Sequence, residues 1–339
     1  QQRATMSACY NCQSSFGCRA NGSPCAKCKN VICSTCAGTY ALIPFDEKNP
    51  DESNDLTKNN TIESYCKTCY QEVSVLDYSK TYDEYVGSGD SSITLLMLHG
   101  GGGTRAMYRP HAQDLAKKGY RCILMDLPGH GTLVDTPLTL DSCVEATRKV
   151  YDECSLKPET TIYVGASLGA YIGFYILTHM SKQFCGAVMM DCGQNVGPDC
   201  SLKARLGIWF LKMAAGNMSN KALMSAMMGV VKKSPAQYKL VESSMGAGMH
   251  FQQGIAQVLC MHTVAPAEHI PNYDFPLLFF NGSEDHRDSE DKWLSLCKDQ
   301  KRSSLKVYEG GDHFFTHDAR FVDDLIARID AFAKQAVSP

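Results

Sequence analysis

The sequence predicts a mainly parallel α/β sheet with a helical cap, preceded by a small cysteine-rich module. Three observations carry this expectation. From Ile93 onward, short apolar runs alternate with helical stretches. Between Gly193 and about His262 that alternation stops, and apolar residues recur at helical spacing instead. Nine of the 17 cysteines fall within the first 69 residues. Buried strands alternating with helices imply a parallel sheet covered on both faces. The length of 339 residues fits about two domains, at roughly 150 residues each.

Composition narrows the class. Hydrophobic residues make up 44% and charged residues 20%, which supports a packed core and excludes wholesale disorder. A net charge of −3 calls for no nucleic-acid partner. No uncharged apolar run reaches the roughly 18 residues a transmembrane helix needs. The nearest, Ile162 to Leu177, is interrupted by Gly165, Ser167 and Gly169 and reads as a buried strand, turn and helix.

The front of the chain carries four Cys-x-x-Cys pairs: Cys9 and Cys12, Cys25 and Cys28, Cys33 and Cys36, Cys66 and Cys69. Twelve, four and twenty-nine residues separate them. Two-residue spacing lets both thiolates of a pair reach one Zn²⁺ at about 2.3 Å. Eight thiolates fill two closed tetrahedral sites, so two structural zinc ions are expected and no metal in catalysis. So small a module has a thin core, and metal binding supplies much of its folding free energy. Disulfides and Fe–S ligation are the alternatives, and the spacing disfavours both. The later cysteines (Cys122, Cys143, Cys154, Cys185, Cys192, Cys200, Cys260 and Cys297) are unpaired and mostly sit in apolar stretches. They read as small buried hydrophobes in a reducing compartment, hence a cytoplasmic protein. The chain begins at Gln1 rather than Met, so its start says little about targeting.

The expected layout is a module over 1–75, a linker with room for one edge strand over 76–92, and the sheet domain over 93–336, with its insertion at about 193–262. A polar loop fills Asp46 to Asn60 within the module. Expected strands are Ile93–Leu98, Arg121–Asp126, Thr161–Gly165, Ala187–Asp191, Leu277–Asn281 and Leu305–Glu309.

The chemistry-bearing residues fall at the ends of these strands. Gly165-Ala166-Ser167-Leu168-Gly169 is a GxSxG sequence between the Thr161 strand and a helix expected over Leu168–Met180. Small residues let the backbone turn sharply and expose Ser Oγ at the head of that helix, whose N–H groups favour an oxyanion. His99-Gly100-Gly101-Gly102-Gly103 follows the Ile93 strand and can aim backbone N–H groups at the same point; it lacks the spacing of a phosphate loop. A serine nucleophile needs a base, and the base needs an orienting carboxylate. Gly282-Ser283-Glu284-Asp285 and Gly310-Gly311-Asp312-His313 supply these at two later strand ends, in the order Ser, acid, His.

Taken together, residues 85–336 resemble the α/β-hydrolase family, including Asp126-x-x-Gly129-x-Gly131 at a strand end. The resemblance implies an α/β-hydrolase sheet with a helical cap. It assigns Ser167 as nucleophile, Asp285 as acid and His313 as base, with an oxyanion hole from the N–H groups of Leu168 and Gly101, and Gly102 next to them. Glu284 and Asp288 compete with Asp285, and Asp191 is a second possible acid at a strand end. Asp312 reads as a turn residue, His99 as a structural hydrogen-bonding residue, and His130, His286 and His317 as surface or loop residues. The insertion holds seven methionines between Met213 and Met249, with Trp209 and Phe210 before them. It reads as a plain cap core or as a flexible apolar acyl pocket. Arg205, Lys212, Lys232 and Lys233 are expected to face water.

The segments CYNCQSSF, CAKC, NVICSTCAGTYALIP and YCKTCYQEV resemble a FYVE-type finger over residues 9–73. Phe16, Leu42-Ile43-Pro44 and Cys69-Tyr70 fit that family. The resemblance implies a cross-brace: Cys9, Cys12, Cys33 and Cys36 on one ion, Cys25, Cys28, Cys66 and Cys69 on the other. FYVE domains bind phosphatidylinositol 3-phosphate through an RRHHCR-type segment. Here Arg19-Ala20-Asn21-Gly22-Ser23-Pro24-Cys25-Ala26-Lys27 stands in its place, the WxxD element is absent, and Ser64-Tyr65-Cys66 replaces Arg-Val-Cys. Seven basic and seven acidic residues cancel over 1–75. Endosomal phosphoinositide binding, a protein partner and a purely structural role stay open for the finger. For the whole chain the expectation is a serine esterase acting on apolar acyl esters, monoacylglycerol- or lysophospholipid-like. A thioesterase or acyltransferase with the same triad, and a non-catalytic adaptor, are the alternatives. The two parts are expected to be independent, so that chelation unfolds residues 1–75 and leaves catalysis by 76–339 untouched.

Overall fold

Seven strands form the central sheet: β1 (Tyr82–Val86), β2 (Thr94–Leu98), β3 (Arg121–Met125), β4 (Thr161–Ala166), β5 (Gly186–Met190), β6 (Leu277–Gly282) and β7 (Ser304–Tyr308). Their spatial order is β7-β6-β5-β4-β2-β3-β1. All pairings are parallel except that of β1 with β3. This computed structural model describes residues 23–32, 40–42, 62–88, 92–218, 220–231, 233–236, 247–251, 253–285 and 289–338.

The six expected strands are present with ends shifted by a residue. β1 is the edge strand for which the 76–92 stretch left room, so the sheet starts earlier than residue 93. Arg105 Nε holds β1 through Asp83 Oδ1 at 2.9 Å, and Arg121 Nε holds it through Glu84 Oε1 at 2.7 Å.

Among the described residues, the helices of seven residues or more are α1 (Lys67–Val73), α2 (Arg109–Lys117), α3 (Leu140–Glu153), α4 (Leu168–His179), α5 (Leu202–Asn217), α6 (Asn220–Val231), α7 (Gly254–Thr263), α8 (Glu290–Leu296) and α9 (Val322–Val337). Side chains alternate across the sheet with the strand period of two. Leu96, Leu98, Ile123, Met125 and Tyr163 enter one core, shared with α3 and α4. Leu95, Met97, Cys122, Leu124, Ile162 and Val164 enter the other, shared with α2 and α9. Both faces are covered, which is why these strands read as unbroken apolar runs. Each fully buried Leu or Ile contributes about 1.5–3 kcal/mol. Thr139 caps α3 through a reciprocal pair with Ser142, at 3.0 and 2.9 Å.

Helices α5, α6 and α7 build the insertion between β5 and β6. Met224, Met228 and Val231 of α6 are buried, while Leu202, Leu206, Trp209 and Phe210 of α5 are exposed. Arg205 and Lys233 face water as expected, Lys212 is half-buried, and Lys232 lies outside the described residues. Among the described residues, no helix is long and apolar enough to cross a membrane. The twelve described cysteines are free thiols, and those of the sheet domain are nearly all buried.

The N-terminal module forms two short antiparallel ladders, Ser23–Pro24 with Val31–Ile32 and Ala41–Leu42 with Glu63–Ser64, followed by α1. Its core joins Cys25, Tyr40, Leu42, Tyr65, Cys66, Cys69 and Tyr70 with Val134 of the sheet domain. Tyr40 Oη and Lys67 Nζ both donate to Asp135, at 2.9 and 2.7 Å. The described residues of the module thus share a core with the body at Val134 and two hydrogen bonds at Asp135. Cys9, Cys12, Cys33, Cys36 and Phe16 lie outside the described residues.

Candidate active site

Ser167 sits between β4 and α4 with φ 48° and ψ −115°. A non-glycine residue held there stores about 1–3 kcal/mol of strain. Two glycines make the turn possible. A Cβ on Gly165 would lie 2.7 Å from Gly169 O, and one on Gly169 would lie 2.6 Å from Leu98 O. Any larger residue would push α4 off the sheet.

The loops after β6 and β7 bring the partners. His313 Nε2 lies 3.1 Å from Ser167 Oγ, and His313 Nδ1 lies 2.8 Å from Asp285 Oδ2. The carboxylate accepts the Nδ1 proton, which leaves Nε2 as the acceptor facing the hydroxyl. Burial alone would lower the His313 pKa. The hydrogen bond to Asp285, with Asp191 and Asp312 nearby, raises it to about 9.

Among the described acids, Asp285 is the one hydrogen-bonded to the base. Asp285 reaches the imidazole. Asp312 Oδ1 instead accepts from Phe314 N at 2.9 Å, the turn role expected. Asp288 and His286 lie outside the described residues. Asp191 follows β5 with φ 53°, is 4% exposed, and has an Oδ1 without a hydrogen bond. It stands beside the Asp285–His313 pair, with acceptor atoms of the three within 4.8 Å of one another. Burial drives its carboxyl well above the ordinary range, against the pull of His313.

The glycine loop lies over the serine, where a Cβ on Gly100 would approach Ser167 Cβ to 3.4 Å. Gly101 and Leu168 both line the cavity. The Leu168 N–H belongs to the first turn of α4, whose N–H groups have no intrahelical acceptor. Gly102 differs from expectation. Its N–H donates to His130 Nε2 at 3.1 Å, so it supports the loop rather than facing an oxyanion.

His130 and His317 are buried, contrary to their expected surface positions. His130 Nδ1 donates to Pro128 O at 2.9 Å, leaving Nε2 to accept from Gly102 N and from Gln257 Nε2, the latter at 3.1 Å. His317 Nε2 donates to Met107 O at 3.0 Å, and burial lowers its pKa to about 3. His99 is structural as expected, donating from Nδ1 to Gly100 O and accepting Leu127 N–H at 3.1 Å. Asp126 anchors the next loop, accepting Arg105 N at 2.8 Å and Thr132 N at 3.0 Å while pairing with the buried Arg105 guanidinium.

The serine opens into an apolar cavity of about 290 Å³. Met224, Met227, Met228 and Met249 of the insertion line it with Met107, Met261, Phe251 and Phe314. Sequence reading found the methionines but not Met107, Gln257 or His250, which lie far apart in the chain and carry no motif.

A second cluster lies in the N-terminal module. The Sγ atoms of Cys25, Cys28, Cys66 and Cys69 all fall within 4.8 Å of one another, with Cys28 and Cys66 at 3.7 Å. A tetrahedron of four Zn–S bonds of about 2.3 Å has edges of about 3.8 Å, so the four thiols fit such an ion. Burial would raise the Cys25 thiol, but the N–H groups of Cys66, Cys28 and Lys27 bring it down to about 6.

A seven-stranded, mostly parallel sheet with a serine elbow and a Ser–His–Asp chain at its strand ends defines the α/β-hydrolase class. The chain matches the alpha/beta hydrolase family over residues 95–325, more than half its length. It belongs to that family. A thermostable monoacylglycerol lipase of Bacillus sp. (strain H-257) is 28% identical over 106 residues, 31% of this chain and 42% of the lipase. The match thus spans less than half of that relative. Among solved structures, the esterase from Exiguobacterium antarcticum has a TM-score of 0.62 at 17% identity, covering 75% of this chain and 94% of its own. A bromoperoxidase from Bacillus anthracis has 0.61 at 14% identity, with 75% and 94% covered. At such identities these structures speak for the fold alone.

Proposed function

We propose that the protein is a serine hydrolase of carboxylic esters with apolar acyl chains. The observation carrying this reading is the hydrogen-bonded chain Asp285–His313–Ser167 opening into a methionine-lined cavity. His313 Nε2 takes the Ser167 proton as Oγ attacks the ester carbonyl. The N–H groups of Gly101 and Leu168 stabilise the oxyanion. The acyl–oxygen bond breaks, the alcohol leaves with the proton from His313, and water hydrolyses the acyl-enzyme. The apolar lining suits an aliphatic acyl chain, as in monoacylglycerol- or lysophospholipid-like esters, and the local likeness to a monoacylglycerol lipase agrees. A fluorophosphonate probe should label wild type and not Ser167→Ala. A folded wild type that takes no label would favour the adaptor reading. Acyl-glycerol and acyl-CoA ladders then separate ester from thioester or acyl-transfer chemistry.

We assign Cys25, Cys28, Cys66 and Cys69 to one structural Zn²⁺, and the FYVE resemblance implies Cys9, Cys12, Cys33 and Cys36 for a second. Bound zinc supplies folding free energy to the module. Lys27, beside Cys25, pairs with Glu72 at 2.8 Å, which favours a structural role over phosphoinositide capture. Elemental analysis should find two zinc ions per chain, and Cys66→Ser should remove one.

A further inference from the structure

Tyr70 follows the last cysteine of the described cluster and is completely buried. Its hydroxyl leaves the module. Oη donates to Ala247 O at 3.0 Å and accepts from His250 Nε2 at 3.4 Å. Gly248 lies directly against it, with φ +80° and room for no side chain, since a Cβ there would sit 2.2 Å from Tyr70 Oη. The segment so held is the one that grips the glycine loop. His250 N–H donates to Gly102 O at 2.8 Å, and the two residues form an antiparallel bridge. Gln257 Nε2 closes the far side, donating to His250 O at 3.0 Å and reaching His130 Nε2, which in turn accepts the Gly102 N–H.

We propose that Tyr70 is a positioning residue for the glycine loop, through which the Cys25/Cys28/Cys66/Cys69 site, when metallated, fixes the geometry beside Ser167. The chain of contacts runs from Cys69 to Tyr70, to Ala247 and His250, to Gly102, and so to Gly101 next to the nucleophile. The metal does no chemistry on the substrate. It holds α1, and α1 holds Tyr70. Burial lowers the pKa of both His130 and His250, and the neutral His130 ring gives one donor to Pro128 O and one acceptor to Gly102 N–H. The consequence for ester cleavage rests on the proposed function above; the mechanical link does not.

The test uses the full-length, zinc-loaded protein. Tyr70→Phe keeps the ring in the core and removes only the hydroxyl. One lost hydrogen bond of ordinary strength should slow fluorophosphonate labelling roughly fivefold. A short soluble ester should show the same fall in kcat with KM unchanged, which lost packing alone would not give. Backbone amides of residues 100–104 and 247–251 should exchange with deuterium roughly fivefold faster, both in this variant and in wild type stripped by a zinc chelator. Unchanged exchange in those two segments, in variant and chelated protein alike, overturns the proposal. A wild type that takes no label overturns the hydrolase reading instead, and the exchange measurement still decides the link.

Discussion

The sheet domain and the N-terminal module are stabilised by different physics. In the body, strands such as β2 and β4 are buried along their whole length between two helical layers. Hydrophobic burial there is redundant, spread over dozens of side chains. Among the described residues of the module the strands are two residues long, and the core is a few tyrosines around Cys25, Cys66 and Cys69, closed off by Val134 from the body. The difference teaches where each part is vulnerable. The body resists any single loss that leaves no buried charge, whereas the module, on the proposed reading, depends on its two thiol sites.

Metal removal breaks the comparison most directly. Structural zinc sites contribute about 10–16 kcal/mol of apparent binding free energy. Chelation should therefore abolish deuterium protection across residues 62–73 while β4 and α9 stay protected; equal loss in both regions would show that the body also needs the metal. Ser167→Ala should lower turnover on the order of 10⁴- to 10⁶-fold without lowering the melting temperature, since it removes chemistry and not packing. A melt lowered by several degrees would assign Ser167 a structural part as well. Arg105→Met sharpens the statement about buried charge. It leaves Asp126 unpaired at a fully buried position, and the body should lose about 3–5 kcal/mol in denaturant melts. A loss below about 1 kcal/mol would mean the Asp126 cage is held by its backbone donors alone. The smallest effect concerns pH. His313 must be neutral to act as base, so kcat/KM should climb with rising pH toward its pKa of about 9. Asp191→Asn removes one of the carboxyls that raise that pKa, and the acid limb should move to lower pH; a limb left in place would exclude Asp191 from the electrostatics of the base.

Much of the body was legible in the sequence because its signals are local. Each strand is one apolar run, and Ser167, Asp285 and His313 each follow such a run at a strand end. The parts that escaped are set by contacts between distant segments. His130 reads as a loop residue until Gly102 and Gln257 are seen to donate to it. Gly102 resembles its neighbours Gly100 and Gly101 in sequence, and only its partner shows that its N–H points away from the serine. β1 is expected only as room for an edge strand within 76–92; it is half polar, Tyr82-Asp83-Glu84-Tyr85-Val86, because its acidic residues meet Arg105, Arg109 and Arg121, which lie far along the chain. In the module, the FYVE resemblance implied the grouping of Cys25, Cys28, Cys66 and Cys69, but nothing in it told that Tyr70 would reach the insertion.

Val134 in the core of the module has a consequence for synthesis. A ribosome delivers the chain from its N-terminus, and domains fold as their residues emerge. Cys69 leaves the exit tunnel well before Val134, and longer still before Ala247. During that interval the thiols are in water without the surface that later covers them, so the nascent module waits half-built while the catalytic body is being made. The segment at Ala247 and His250 then meets Tyr70 before β6 and β7 have been translated, so the first part of the chain to be made waits for the insertion before its contacts are complete.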